Sequence, residues 1–455
     1  MLRGTGSNIY NANLAPALAR LGHEVHLLCQ DRQVRPEGVT VHNPDIGGLL
    51  PVYVKDPYEG FEVKAFPDLS EEELDRYIEA NVAAVREVAE RAGGIDLALA
   101  NHLVMGPAIL ARADVAPFAA KVHGSALEYT VKPHLSRFGP YAVEGMRAAT
   151  CVLVGSRHTA ESLWAALPDV PGLEDKTRLG PPGVDTETFH PREVGSGLTG
   201  TPRESEPVRP DPTSPLIVFV GKLIVSKGVD LLMAAWPLVR PAHPDVRLKL
   251  AGWGEYEEGL RRLLGALDRG DLDDAREVAR LGWALEGGEE KSLRILSAFL
   301  ADPPAGYLDA ARGIADSVEL IGRLEHDQVA ELLPGAEALV MPSTFPEAFG
   351  MVAAEAAACG ALPISAGHSG MLEVSRQLAE ALPPAARGLV SFEVGPGAVE
   401  AIAARLDGWL SLPEAGREEA RKALVRTAGR LWSWEGVARG AIAAARGELD
   451  RLPLA

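Results

Sequence analysis

From the first residues to about 190, short apolar runs alternate with stretches of helical period, the rhythm of βαβ units in an open, mostly parallel sheet. NIYNANLAPALARLG predicts a helix at about 8 to 20 that stops at Gly22 and feeds a strand, EVHLLCQ, at 24 to 30. Ser70 and Glu73 have the spacing of a capping box for the helix DRYIEANVAAVREVAERAG, and IDLALAN (95–101) follows as a strand. FAAKVHG (118–124) and TCVLVGS (150–156) read as two further buried strands. Each runs into a polar loop at its carboxyl end, the edge at which such sheets bind ligands.

The pattern lapses from His190 to Pro215, where PREVGSGLTGTPRESEPVRPDPTSP has no period and is dense in Pro, Gly, Ser and charge, a linker. A second βα series then begins: PLIVFVGKL, a helix at 228 to 239, VRLKLAGWG, VELIGRL, EALVMPS, a helix at about 350 to 359, and ALPISAG. The expected fold class is α/β, two Rossmann-like domains facing across a cleft. Their expected bounds are 1–190, a linker at 191–214, a second domain at 215–405 and a helical tail at 406–455 carrying WSWEG. Residues 261–316 sit where one crossover helix would suffice and read as an added helical lobe, a surface elaboration or oligomer contact, so a homo-oligomer is open. One irregularity stands at the front. A doubly wound domain opens on a strand that feeds its glycine loop, yet the loop RGTGSN begins at residue 3. The reading is a start assigned too far downstream, with an apolar strand encoded upstream and a first domain unstable without it.

At 455 residues, 47% hydrophobic and 24% charged, the chain can bury two cores, which excludes disordered and fibrous classes. No apolar run approaches a membrane span, no basic region followed by an apolar one opens the chain, and no basic amphipathic helix is present. A cytoplasmic, non-exported protein without membrane association is expected. Its formal charge of −18 repels phosphate backbones and argues against nucleic acid as a partner, so any phosphate site must be local. Cys29, Cys151 and Cys359 stand singly without metal-ligand spacing and read as small core residues in a reducing compartment.

Lysine is scarce, ten residues in all, and two of the ten lie in Gly221-Lys222-Leu223-Ile224-Val225-Ser226-Lys227-Gly228, after the strand LIVFV and before a helix. Backbone N–H groups and the helix dipole favour an anion there, and a diphosphate is the natural guest. Phe345-Pro346-Glu347-Ala348-Phe349-Gly350-Met351-Val352-Ala353-Ala354-Glu355 likewise follows a strand, ALVMP, and enters an Ala-rich helix. Glu347 is placed in the loop and Glu355 about two turns into the helix. Carboxylates so placed accept hydrogen bonds from vicinal hydroxyls, as on a sugar or ribose, and the amides of Gly350, Met351 and Val352, beside Phe349, can hold phosphate. A Glu pair eight apart is weak by itself; its position at a strand-to-helix junction of the same domain as the lysine loop gives it weight.

Taken together, the two glutamates separated by seven residues, GKLIVSKGVDLL, GPPGVDTETFHP, LARLGHEV and ALPISAGHSGMLEV resemble a retaining glycosyltransferase of the GT-B fold, family 4 (glycosyl transferases group 1). The likeness spans nearly the whole chain except the 261–316 lobe and the first strand. It implies that Glu347 contacts the donor sugar hydroxyls, that Glu355 binds the ribose and that Lys227 neutralises the diphosphate. Lys222 stands where the family usually has Arg, which keeps the charge and loses the bidentate fork. The resemblance further implies that the backbone of Gly322-Arg323-Leu324 faces the nucleobase, that Gly6 approaches a phosphate, with Thr5 replacing a usual glycine, and that His123 reaches the sugar at the reaction centre. The implied enzyme moves a sugar from a nucleoside diphosphate sugar, UDP-linked by prevalence, onto a hydroxyl of a small polyol, a glycan or a lipid-linked sugar. No cofactor or metal is expected, because Lys222, Lys227 and helix amides stabilise the charge on the leaving diphosphate. Asp271-Leu272-Asp273 matches a metal-binding Asp-x-Asp formally but falls in the charged helical lobe. Two alternatives stay open: a sugar phosphorylase or UDP-sugar epimerase of the same fold, and a non-catalytic nucleotide-sugar binding protein.

Overall fold

Runs of Val, Leu, Ile and Ala too short for helices become strands buried on both faces, as in a parallel sheet covered by helices. The computed structural model describes residues 1–2, 6–53, 58–192 and 214–455. It divides into two units, Met1–Gly183 with Trp432–Ala455, and Val184–Leu431.

In the first unit β1 (Val25–Leu28) pairs in parallel with β2 (Val39–His42), and β3 (Leu49–Val52) with β4 (Glu62–Ala65). A four-stranded parallel sheet follows in the order β5 (Ala98–Asn101), β6 (Phe118–Val122), β7 (Cys151–Val154) and β8 (Thr177–Leu179). Every residue of β6 and β7 is buried, Lys121 included. The capping box of the helix Glu71–Arg91 forms in both directions: Glu73 N donates to Ser70 Oγ at 3.2 Å and Ser70 N to Glu73 Oε2 at 2.8 Å. Among the described residues no strand precedes the helix Gly6–Arg20, and β1–β2 is not hydrogen-bonded to β5–β8. The sequence pattern missed β2, β3, β4 and β8, which at three or four residues are too short to show a period.

The second unit holds one six-stranded parallel sheet built from β9 (Leu216–Val220), β10 (Arg247–Ala251), β11 (Val318–Gly322), β12 (Ala338–Met341), β13 (Leu362–Ala366) and β14 (Ser391–Phe392). Its spatial order is β11-β10-β9-β12-β13-β14. Numbered from its own first strand this is 3-2-1-4-5-6, so the order reverses between β9 and β12, and ligands of such sheets bind outside the carboxyl ends at that reversal. The lysine loop follows β9 and the glutamate loop follows β12. The lobe after β10 is helical, with Glu257–Arg269, Leu272–Leu281, Arg294–Ala301 and Tyr307–Ala311 as its main helices.

Two expected boundaries shift. The first unit closes at Gly183 rather than 190, and the tail is no separate element but is shared between the units. The helix Glu414–Leu431 packs on the second unit, where Arg421 Nη2 donates to both oxygens of Glu337 at 2.7 Å. The helix Trp434–Ala445 packs on the first, its Trp434, Ala438 and Ala441 against Tyr10, Leu14 and Ala17. Gly183 leaves room for that indole, since a Cβ there would come within 2.6 Å of Trp434 Cδ2. The expected linker lies almost wholly outside the described residues, at 193–213.

Candidate active site

The apolar strand β9 delivers Gly221 and Lys222 to its carboxyl end, and a single 3-10 turn, Val225–Lys227, leads to Gly228 and the helix Val229–Val239. Gly228 is left-handed, at φ 64°, and a Cβ on it would lie 2.1 Å from Pro342 O. This close approach joins the loops after β9 and β12. Thr344 N donates to Ser226 O at 2.9 Å, and Lys227 Nζ donates to Glu347 Oε1. The Gly228→Ala substitution combines a disfavoured φ with a backbone overlap and is expected to destabilise the second unit by about 3 kcal/mol or more. A urea midpoint unchanged from wild type would refute that expectation.

Glu347 is fixed from a third loop as well. Its N–H donates to Ser369 Oγ at 2.9 Å, and Gly370 N donates to Glu347 O at 2.9 Å. His368 Nδ1 lies 3.0 Å from Ser369 Oγ, and its Nε2 lies 2.9 Å from Ser343 O. The side chains of Lys227 and Glu347 remain 28% and 23% exposed, open enough to meet a ligand.

Glu355 is the fifth residue of the helix Met351–Cys359, little more than one turn in rather than two. It is only 4% exposed, and its partner is His326, whose Nε2 lies 2.9 Å from Glu355 Oε1. The His326 ring packs on Phe189 of the GPPGVDTETFHP segment at 4.7 Å between centroids. Burial disfavours the charged imidazole, but the hydrogen bond and charge of Glu355 outweigh it and raise the pKa of His326. Gly350, at φ 93°, opens the helix without a side-chain cap, leaving first-turn amides, Met351 and Val352 among them, unclaimed by any capping side chain. Phe349 beside it is buried.

Lys222 and Arg323, read from sequence as parts of separate loops, meet on one indole. Trp253 follows β10, with Lys222 Nζ 5.8 Å and Arg323 Cζ 4.5 Å from its ring centroid. Gly252 permits this, because a Cβ there would lie 1.9 Å from Gly221 O. Gly322, at φ 75°, ends β11 and turns the chain into Arg323. Trp253 and His326 were missed from sequence; an indole between two glycines at a strand's carboxyl end was the available signal for the first.

In the first unit His123 follows β6, and its Nε2 lies 3.1 Å from Asn101 Oδ1. His102 lies 4.8 Å away between ring centroids, and Tyr10 lies 5.2 Å away, edge-on. Burial, His102 and Lys121 together push the pKa of His123 well below its ordinary value, so the imidazole is neutral near pH 7. Beneath it Lys121, two residues earlier on the same face, donates to Gly180 O at 2.5 Å and sits 5.5 Å from the centre of the Tyr10 ring. Burial lowers its pKa to about 7. Gly6 opens the first helix, is exposed and touches none of this cluster's residues through a described bond; Thr5 lies outside the described residues. Asp271 of the Asp-x-Asp triplet is a helix cap, its carboxylate accepting from Asp274 N at 3.0 Å.

Residues 4–188 match the family description Glycosyltransferase Family 4, and residues 214–289 and 305–429 match Glycosyl transferases group 1. The break between the latter two falls inside the helical lobe. The D-inositol 3-phosphate glycosyltransferase of Segniliparus rotundus is 28% identical over 460 residues, covering 98% of this chain and 85% of the relative. A glycogen synthase of Mycobacterium tuberculosis is 28% identical over 245 residues, 52% of this chain and 45% of the relative. Among solved structures, sucrose-phosphate synthase from Thermosynechococcus elongatus superposes with a TM-score of 0.60 at 20% identity, covering 98% of this chain and 93% of that one. Anabaena HepE in complex with UDP-glucose does so with a TM-score of 0.56 at 14% identity, covering 99% and 98%. A family 4 sequence in the first unit, group 1 sequence in the second, and a fold shared with these enzymes along almost the whole length place the chain among the GT-B glycosyltransferases of family 4.

Proposed function

We propose that this glycosyltransferase takes its sugar from a nucleoside diphosphate sugar, with UDP the first base to try, and passes it to an acceptor hydroxyl with retention of configuration and without a metal. The observation that carries the reading is the meeting of Lys227 and Glu347 at the strand-order reversal of the second unit, with Lys222 and Arg323 after β9 and β11 and Glu355 in the helix that follows β12. As the glycosidic bond breaks, the diphosphate gains charge, and fixed cations with uncapped helix amides stabilise that charge more in the transition state than before it. Glu347 accepts from sugar hydroxyls and Glu355 from the ribose. The second unit holds the donor and the first the acceptor. Inositol phosphate, the acceptor class named in the Segniliparus relative, is the first acceptor to assay. The reading includes a cytoplasmic enzyme, and among the described residues no helix is long and apolar enough to cross a membrane.

The test is thermal unfolding with UDP, GDP and ADP and their sugar conjugates, on wild type and on Glu355→Gln. A ligand at about 100 times its Kd stabilises the native state by roughly 2.7 kcal/mol, a shift of several degrees. One base is expected to give that shift and Glu355→Gln to reduce it. Absence of any shift with all three bases would overturn the donor assignment.

A further inference from the structure

The helix Val229–Val239, VDLLMAAWPLV, is apolar but for Asp230, and all but one of its eleven residues, Asp230 included, are buried. A helix flanking a doubly wound sheet ordinarily keeps an outward face for solvent. Here the lobe and the helix Ala398–Leu410 together enclose the helix. Glu257–Arg269 and Arg294–Ala301 pack against the helix, Tyr307 Oη donates to Ala234 O at 2.8 Å, and Trp236 Nε1 donates to Ser317 Oγ at 3.0 Å. The lysine loop is the N-terminal entry to this enclosed helix.

The lobe also reaches the loop itself. Its 3-10 turn Trp283–Glu286 is framed by Gly282, where a Cβ would lie 2.1 Å from Lys291 O, and by Gly287 at φ 82°. Trp283 N donates to Lys291 O at 3.1 Å. From this turn Glu286 Oε2 accepts a hydrogen bond from Val225 N at 2.7 Å. Val225 opens the Val225–Lys227 turn, and its N–H is one of the donors such a turn cannot satisfy internally. Other bonds of the loop come from its own backbone, the β10 exit and the loop after β12: Leu223 N to Trp253 O at 2.7 Å, Lys227 N to Ile224 O at 3.0 Å, Gly228 N to Val225 O at 3.0 Å, and, onto Ser226 O, Thr344 N at 2.9 Å and Ser343 Oγ at 3.1 Å. Burial raises the pKa of Glu286, the bond from Val225 opposes that rise, and Glu255 adds to it.

We propose that Glu286 is a positioning residue for the donor loop: the lobe grips Val225 through this carboxylate and so holds Lys227 in the turn that aims its ammonium at Glu347. The lobe thereby sets affinity for the diphosphate of the donor, which is a role apart from acceptor recognition or surface covering. This rests on the reading of the lysine loop as the diphosphate site.

Hydrogen exchange measured by mass spectrometry on the full chain tests the two separately. Without ligand, Glu286→Ala is expected to speed exchange in peptides spanning 222–228 about tenfold, the equivalent of one charge-assisted hydrogen bond, and Glu286→Gln, which keeps an acceptor oxygen, to restore near-wild-type rates. In titrations with UDP, GDP or ADP, whichever base protects the wild-type loop should bind Glu286→Ala roughly 5- to 10-fold more weakly. Unchanged loop exchange in Glu286→Ala, or an equal rise throughout the second unit, would overturn the positioning role. A selective rise in loop exchange that no diphosphate suppresses in the wild type would leave the grip on Val225 standing and remove the diphosphate from the loop.

Discussion

Lys227→Ala is expected to lower kcat by about a thousandfold, measured as release of nucleoside diphosphate from the donor selected by thermal shift. Removing one preorganised group from a developing oxyanion typically costs 10²–10³, and this substitution also strands Glu347 without the cation that donates to it. The loss should fall on kcat more than on KM, because the diphosphate carries more charge as it leaves than while bonded to the sugar. Lys227→Arg should recover only part of the rate: the charge returns, but the planar guanidinium does not reproduce a compact ammonium at the same place. Retention of kcat within about threefold in Lys227→Ala would remove Lys227 from the transition state.

The second large effect concerns acid. Burial holds His102 down to about 3, and His123 lies well below its ordinary range. Because the unfolded chain protonates both near pH 6.5, it binds more protons than the native state as pH falls, and stability drops. Going from pH 7 to pH 5 should cost the first unit about 2 kcal/mol through His102, with His123 adding to the loss in the same direction, a large part of a typical domain's margin. Lys121 acts in a higher window: lowered to about 7 from an ordinary ~10.4, it adds stability as pH rises from about 7 toward 10. The measurement is the Tm of the first unit against pH, in wild type and in His102→Asn. Asparagine suits the left-handed backbone of that position, at φ 69°, and should flatten the acid limb in part. A Tm independent of pH from 7 to 5 would contradict the assignment.

What was legible in the sequence follows from what is local. β6, β7 and β12 are buried along their lengths, as is β9 up to Val220, and all appear as apolar runs; Gly124, Gly155 and Gly221 follow β6, β7 and β9, and Pro342 follows β12. The lysine loop and the glutamate pair were readable because each occupies one such junction. The joins between junctions were not readable. Glu355 and His326 are 29 positions apart, Lys227 and Glu347 are 120 apart, and only the strand order brings each pair together. Lys121 was hidden for a different reason: within FAAKVHG it looked like one tolerated charge in a strand, and only the packing of Tyr10 and the carbonyl of Gly180 mark it as an interior cation. Glu286 lay in a lobe that sequence reading assigned to the surface.

The helix Trp434–Ala445 also bears on the order in which the molecule is assembled. Thr150 Oγ1 lies 3.0 Å from Ala444 O, a contact between positions 294 residues apart. The second unit is continuous in sequence, from Val184 to Leu431, and is synthesised before that helix. During translation the first unit therefore emerges first but must wait, with Tyr10, Leu14, Ala17 and Leu99 uncovered, until the second unit has been made. Closing so long a loop is slow, and the exposed apolar face is a natural site for a chaperone to hold the nascent chain.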